Sequence, residues 1–136
     1  MKHLALAGLL VAATACVGLA GDCDPADPDA AVPFHLYVSN QSFEIDPVDI
    51  VVWIDDRQVV CDRFDVEGQH NWILFDLGLE PGSHLLRAVG NDGKTTFEQE
   101  FELPAERWAV LDFWYYPDDE PEKFTFSIHD GPVGFD

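Results

Sequence analysis

LEPGSHLLRAVGNDGKTTFEQEFEL, residues 79–103, decides how the chain folds. Leu79-Glu80-Pro81-Gly82-Ser83 puts Pro and Gly where a type II turn wants them, because Pro pre-sets one φ and Gly tolerates the positive φ that follows. His84–Gly90 then runs apolar and extended. Asn91-Asp92-Gly93-Lys94 is a hairpin signal, since Asp-Gly accepts the positive φ angles of a type I′ turn. Thr95–Leu103 alternates, with Phe97 and Phe101 on one side and Glu98, Glu100 and Glu102 on the other. That period of two marks a strand with one buried face.

The same grammar extends in both directions. Towards the N-terminus, Phe34–Asn40 alternates with Phe34, Leu36 and Val38 together. Asp49–Ile54 is an apolar, β-branched run, and Asp55-Asp56 turns it into Arg57–Phe64 as a hairpin. Asn71–Leu77 is a fourth strand. Beyond the opening stretch, Pro104–Arg107 turns into WAVLDFWYY, Trp108–Tyr116. An acidic loop, 117–123, then leads to Phe124–His129, which carries Phe124, Phe126 and Ile128 on one face. About eight short strands at roughly ten-residue spacing, with no helical period, predict an all-β antiparallel sandwich of seven to eight strands. Ten Phe and four Trp supply a core for one domain.

Residues 79–103 also resemble the hairpins of bacterial immunoglobulin-like and PEGA-type envelope modules. The resemblance implies an immunoglobulin-like architecture and no activity.

The N-terminus carries an address. Met1-Lys2-His3 precedes an apolar run from Leu4 to Ala13 and then small residues, which is the layout of a secretory signal. Gly8, Thr14 and Gly18 dilute it as a membrane span. Ala13-Thr14-Ala15 followed by Cys16 resembles the lipobox of bacterial envelope lipoproteins, which implies that Cys16 is lipidated and becomes the mature N-terminus. Cys23 is a rival lipid site, and plain cleavage after Ala15 or Ala20 is a third reading. With Cys16 acylated, Cys23 and Cys61 remain in an oxidising compartment and can pair as a disulfide. These readings divide the chain into a signal, 1–15, an acidic Pro/Asp tether, 16–32, and the sandwich, 33–136. They place it in the cell envelope, lipid-anchored at an outer membrane or cell surface, or else periplasmic or secreted.

A formal charge of −19, from 26 acidic against seven basic residues, excludes a nucleic-acid binder, whose affinity rests on Lys and Arg neutralising phosphates. It also sets the protein surface against anionic lipid, so membrane attachment falls to the acyl chain. Motifs for nucleotide, zinc-protease or serine-hydrolase chemistry are missing from the sequence. No catalytic residue, metal ligand or cofactor is therefore assigned. His35, His70, His84 and His129 lack a short-range ligand spacing, and the aspartates of the tether lack the Gly and distal Glu of a calcium loop.

What remains is aromatic. In Trp108–Tyr116, Ala109, Leu111, Phe113 and Tyr115 share one face, and Trp108, Val110, Asp112, Trp114 and Tyr116 share the other. If the first face is core, the second presents rings that stack on sugars or anchor proteins, unless a loop or the C-terminal tail covers it. His70-Asn71-Trp72 reads either as a polar-aromatic binding lip or, the preferred reading, as a turn whose polar groups serve the backbone while Trp72 packs in the core. The expectation is a non-catalytic envelope lipoprotein with a structural or partner-binding sandwich. The alternative is a carbohydrate-binding, adhesive or calcium-dependent module secreted without lipid. The candidate binding residues are Trp53, Trp72, Trp114 and Tyr116, for a protein or glycan partner.

Overall fold

The computed structural model describes residues 32–42, 44–66, 72–116 and 120–134. Eight strands follow one another: β1 (Val32–Asn40), β2 (Val48–Ile54), β3 (Arg57–Phe64), β4 (Ile73–Leu79), β5 (Gly82–Gly90), β6 (Thr95–Leu103), β7 (Arg107–Tyr116) and β8 (Glu120–His129). The signal segment, the tether through residue 31 with Cys16 and Cys23, His70-Asn71, residues 117–119 of the acidic loop and Phe135 lie outside the described residues, and Val32, given to the tether by the sequence, is the first residue of β1.

The strands form two four-stranded sheets. Sheet I has the order β4-β1-β7-β8 and sheet II the order β3-β2-β5-β6. Their inner faces meet in one core, in which Leu36, Val38, Leu111 and Phe113 of sheet I are fully buried with Ile50, Val52, Leu86 and Ala88 of sheet II. Aromatic contacts cross the sheets: Phe34 stacks on Phe101 at 5.1 Å between centroids, and Phe64 meets the edge of Phe75 at 6.3 Å. Gly90 of β5 lies so close to β8 that a Cβ there would sit 2.9 Å from Cζ of Phe124.

The turn chemistry acts where the sequence places it. Asp55 and Asp56 join β2 to β3 with φ of 52° and 69°, the left-handed values a two-residue I′ hairpin demands. At the β5–β6 turn Asp92 and Gly93 have φ of 54° and 86°, closed by a hydrogen bond from Lys94 N to the Asn91 carbonyl at 3.0 Å. The Pro81-Gly82 turn instead carries the chain from β4 in sheet I to β5 in sheet II.

The sandwich is the one the alternation predicts, but its wiring differs from an all-antiparallel immunoglobulin domain. β1 runs parallel to β7, while the other strand pairs are antiparallel. The β2–β5 pair is flanked by its own hairpin partners β3 and β6, not by a first and fourth strand. Alternation reports which face a residue takes, and does not report which strand lies beside it. β4 begins at Ile73, two residues later than the sequence suggests.

The tripeptide Asn40-Gln41-Ser42, a glycosylation sequon in form, is buried. Asn40 Nδ2 donates to the carbonyls of Ile45 at 2.7 Å and Phe64 at 2.9 Å, and Asn40 Oδ1 accepts from Ser42 N at 3.0 Å. Its amide is a structural strut between β1, the β1–β2 connection and β3.

Candidate functional face

The outer face of sheet I follows from the register. On β1 it takes His35, Tyr37 and Ser39, which lie beside Trp108, Val110 and Asp112 of β7. On β4 it takes Asp76 and Leu74, beside His35 and Tyr37. On β8 it takes His129, Ser127, Thr125 and Lys123, beside Trp108, Val110, Asp112 and Trp114. β7 therefore divides as its sequence predicts: Ala109, Leu111 and Phe113 are fully buried, and Tyr115 packs against the core. Trp108, Trp114 and Tyr116 are half-buried on the outside.

Asp112 sits at the middle of this face. Its Oδ1 accepts hydrogen bonds from Ser39 Oγ at 2.6 Å and from the Trp72 indole Nε1 at 2.8 Å. Ser39 Oγ in turn accepts from Gln41 Nε2 at 2.9 Å, and the Gln41 carbonyl accepts from the Tyr116 hydroxyl at 3.0 Å. Burial pushes the Asp112 carboxyl above its ordinary 3.8, and the two donors only partly offset that. Trp114 leans towards β8, donating from Nε1 to Thr125 Oγ1 at 2.8 Å, and its ring lies 5.9 Å from that of Tyr116. The result is a half-buried carboxylate with indoles on either side.

A second cluster lies further along the same face. His35 Nδ1 is 2.5 Å from Asp76 Oδ1, and His35 Nε2 is 2.7 Å from Glu106 Oε2. The imidazole stacks on Trp108 at 5.0 Å with 19° between the planes.

No protein-family model matches the chain, and no curated protein does either. Among solved structures it is similar to a candidate cell adhesion protein from Bacteroides ovatus, at 12% identity and a TM-score of 0.38. That match covers 77% of this chain and 46% of the other, so the chain spans under half of that protein's length.

The structure separates the residues singled out in the sequence. Trp72, Trp114 and Tyr116 converge on sheet I. Trp53 lies on the outer face of sheet II, where the Arg87 guanidinium covers its ring at 4.9 Å, held near Asp56 at 3.6 Å and Glu98 at 3.9 Å. Trp72 is not a core residue. It precedes β4, an edge strand, and from there its indole reaches over the outer surface to Asp112. Cys61 lies on β3, opposite Val51 of β2, and its expected partner Cys23 falls outside the described residues.

Other polar groups are structural. His84 is 8% exposed; its Nδ1 meets the Asp55 carboxylate and its Nε2 donates to the Glu80 carbonyl at 2.6 Å. Glu122, which the sequence places in the acidic loop, lies in β8 and accepts from Asn91 Nδ2 at 2.8 Å and Thr95 Oγ1 at 2.6 Å, which straps β8 to the β5–β6 turn. Among the described residues no three His, Cys, Asp or Glu converge as metal ligands. Among these residues no helix is long and apolar enough to cross a membrane.

Nothing in the local sequence marks His35 as a functional centre. Alternation in Phe34–Asn40 already turns it outward with Tyr37. Its partners, however, come from 41 and 71 residues away, beyond the reach of any local pattern.

Proposed function

We propose that the sandwich is a non-catalytic binding module of the cell envelope, held to a membrane by an acyl chain on Cys16 and presenting the outer face of sheet I to a protein or glycan partner. One observation carries this reading: Trp72, Trp114 and Tyr116 share one sheet face, around the half-buried carboxylate of Asp112. Aromatic rings supply large contact area with little side-chain entropy to lose, and they stack on sugar rings or fill partner pockets. The carboxylate gives that face a polar acceptor. Trp53 takes no part, because Arg87 already occupies its ring.

The anchor follows from the address and the charge. With 26 acidic against seven basic residues the chain has no attraction for an anionic leaflet, and each buried methylene of an acyl chain contributes about 0.8 kcal/mol. A Cys23–Cys61 disulfide would tie the tether to β3 and fix how the domain stands on its anchor. Intact mass after expression in a bacterial envelope, with and without reductant and alkylating agent, tests both points. A mass starting at Cys16 with diacylglycerol, and thiols alkylated only after reduction, supports the anchored form. A lipid-free mass overturns it.

Binding is tested by tryptophan fluorescence with soluble peptidoglycan fragments and an oligosaccharide panel. Trp114→Ala with Tyr116→Ala removes the signal, and Trp53→Ala leaves it intact. Binding that survives the first pair of changes rejects sheet I as the site.

A further inference from the structure

We infer that His35, Asp76 and Glu106 form a pH-sensitive clasp that holds edge strand β4 and the β6–β7 crossover against β1. Each ring nitrogen of His35 faces a different carboxylate, at 2.5 Å and 2.7 Å. An ionised carboxylate only accepts hydrogen bonds, and an imidazole offers two N–H donors only when protonated. The arrangement is complete in the imidazolium form. Once the ring is neutral, one nitrogen points a lone pair at a carboxylate, and Asp76 and Glu106 face each other across a ring with no charge to balance them.

Among the described residues, the surroundings contain little else to hold the two carboxylates. Asp76 comes from β4 and Glu106 from the crossover. Arg107 is adjacent, and its Nη1 donates to the Glu106 carbonyl at 2.9 Å. On β7 the neighbour is Trp108, uncharged and stacked on the ring. Beyond it on β8 lies His129, whose Nε2 is 2.9 Å from Ser127 Oγ. Tyr37 completes the face on β1.

β4 is where release would matter. It is joined to sheet I through β1 alone. The other outer strands carry guards against edge pairing: Arg57, Asp62 and Arg63 with a bulge on β3, three glutamates on β6, and Pro121 and Lys123 on β8. β4, ILFDLGL, has Asp76 as its one charge, and it holds the large apolar residues most exposed among those described, Ile73 at 37% and Leu74 at 44%. The clasp engages that one charge. Opening it loosens the least guarded edge of the molecule from β1.

Burial by itself lowers the basicity of His35. Hydrogen bonds to Asp76 and Glu106, and their charges, outweigh burial and raise the group above its ordinary 6.5. The clasp therefore contributes its full stability below pH 6.5 and loses it as pH rises through the raised value.

The test is an NMR titration of the His35 ring, with amide exchange of β4 followed across the same range and corrected for intrinsic pH dependence. The expected results are a midpoint above 6.5, a lower midpoint in both Asp76→Asn and Glu106→Gln, and exchange at Leu74, Phe75 and Leu77 that quickens above the midpoint. In His35→Gln the β4 exchange no longer changes with pH. A midpoint at or below 6.5, or β4 exchange that does not follow the His35 titration, overturns the clasp. Glu106→Gln lies on a connection outside the strands, so it keeps the test open if the β4 variant folds poorly.

Discussion

The Trp72 indole donates to Oδ1 of Asp112 at 2.8 Å, which ties the mouth of edge strand β4 to the middle of central strand β7. Forty residues separate the two in sequence, and the bond spans β1, which lies between their strands. It places an apolar ring system directly against a carboxylate that burial already makes reluctant to ionise. Two consequences of this geometry and three of the buried interior behind it can be measured.

Asp112 holds its proton more tightly in the folded chain than in the unfolded one, where its value is near 3.8. Its favourable contribution is present below 3.8 and is lost as pH rises through the raised folded value. Asp112→Asn keeps an oxygen to accept from Ser39 and Trp72 and removes the ionisation. The variant melts higher than the parent at pH 7, and the gap closes as the solution is acidified past pH 4. Thermal unfolding of both proteins between pH 3 and 8 checks this; a variant that melts lower throughout refutes it.

Trp72→Phe keeps an aromatic ring but deletes the N–H. Because a hydrogen bond to a charged group contributes roughly 1.5–3 kcal/mol, and this site is half-exposed, the loss falls at or below the lower end of that range. Urea denaturation at pH 7 measures it. In an Asp112→Asn background the same change costs less, since the acceptor has lost its charge.

Asn40→Ala takes the side-chain donor from the Phe64 carbonyl in a buried site and leaves the Ile45 carbonyl with Ser42 Oγ, at 2.9 Å. A buried group that loses its partner costs about 1–3 kcal/mol, so the variant is destabilised on that scale. Chemical denaturation reads the cost. The same burial means that glycan attachment at Asn40 requires the β1 terminus to come apart, and the folded chain exposed to a glycosylating extract stays unmodified there.

Gly90→Ala forces a methyl to within 2.9 Å of the Phe124 ring and 3.2 Å of the Asp49 carbonyl. The carbonyl belongs to β2 and cannot move away cheaply, so overpacking costs about 1–3 kcal/mol. Pairing the change with Phe124→Leu recovers part of the loss, and the double-mutant cycle shows how much of the strain is the ring's.

Phe113→Ala empties the centre of the core, where the ring is fully buried and meets the edge of Phe124 at 5.4 Å. A loss of roughly 3–5 kcal/mol follows from transfer and cavity terms together, a large share of the stability of a domain of this size.

Much of this molecule is written in its local pattern. The period of two in Phe34–Asn40, Thr95–Leu103 and Trp108–Tyr116 assigns each residue to the core or to the outside, because successive side chains of a strand must point to opposite faces. Asp55-Asp56 and Asp92-Gly93 mark their hairpins because few residues accept a positive φ. From these alone come the all-β class, the count of eight strands and the division of β7 into a buried and an outer face.

Which outer faces belong together is a different kind of information. Trp53 and Trp114 read alike in sequence, yet one lies on sheet II beneath Arg87 and the other on sheet I beside Asp112. Trp72 looks like a core residue until β4 proves to be an edge. His35 becomes a bridge only because β1 runs parallel to β7 and antiparallel to β4, which brings Asp76 and Glu106 to its two nitrogens. Strand alternation is a property of the backbone within a few residues, so the sequence alone determines it. Strand neighbours are chosen by how two whole sheets close over a shared core, and that closure is decided only by tertiary packing.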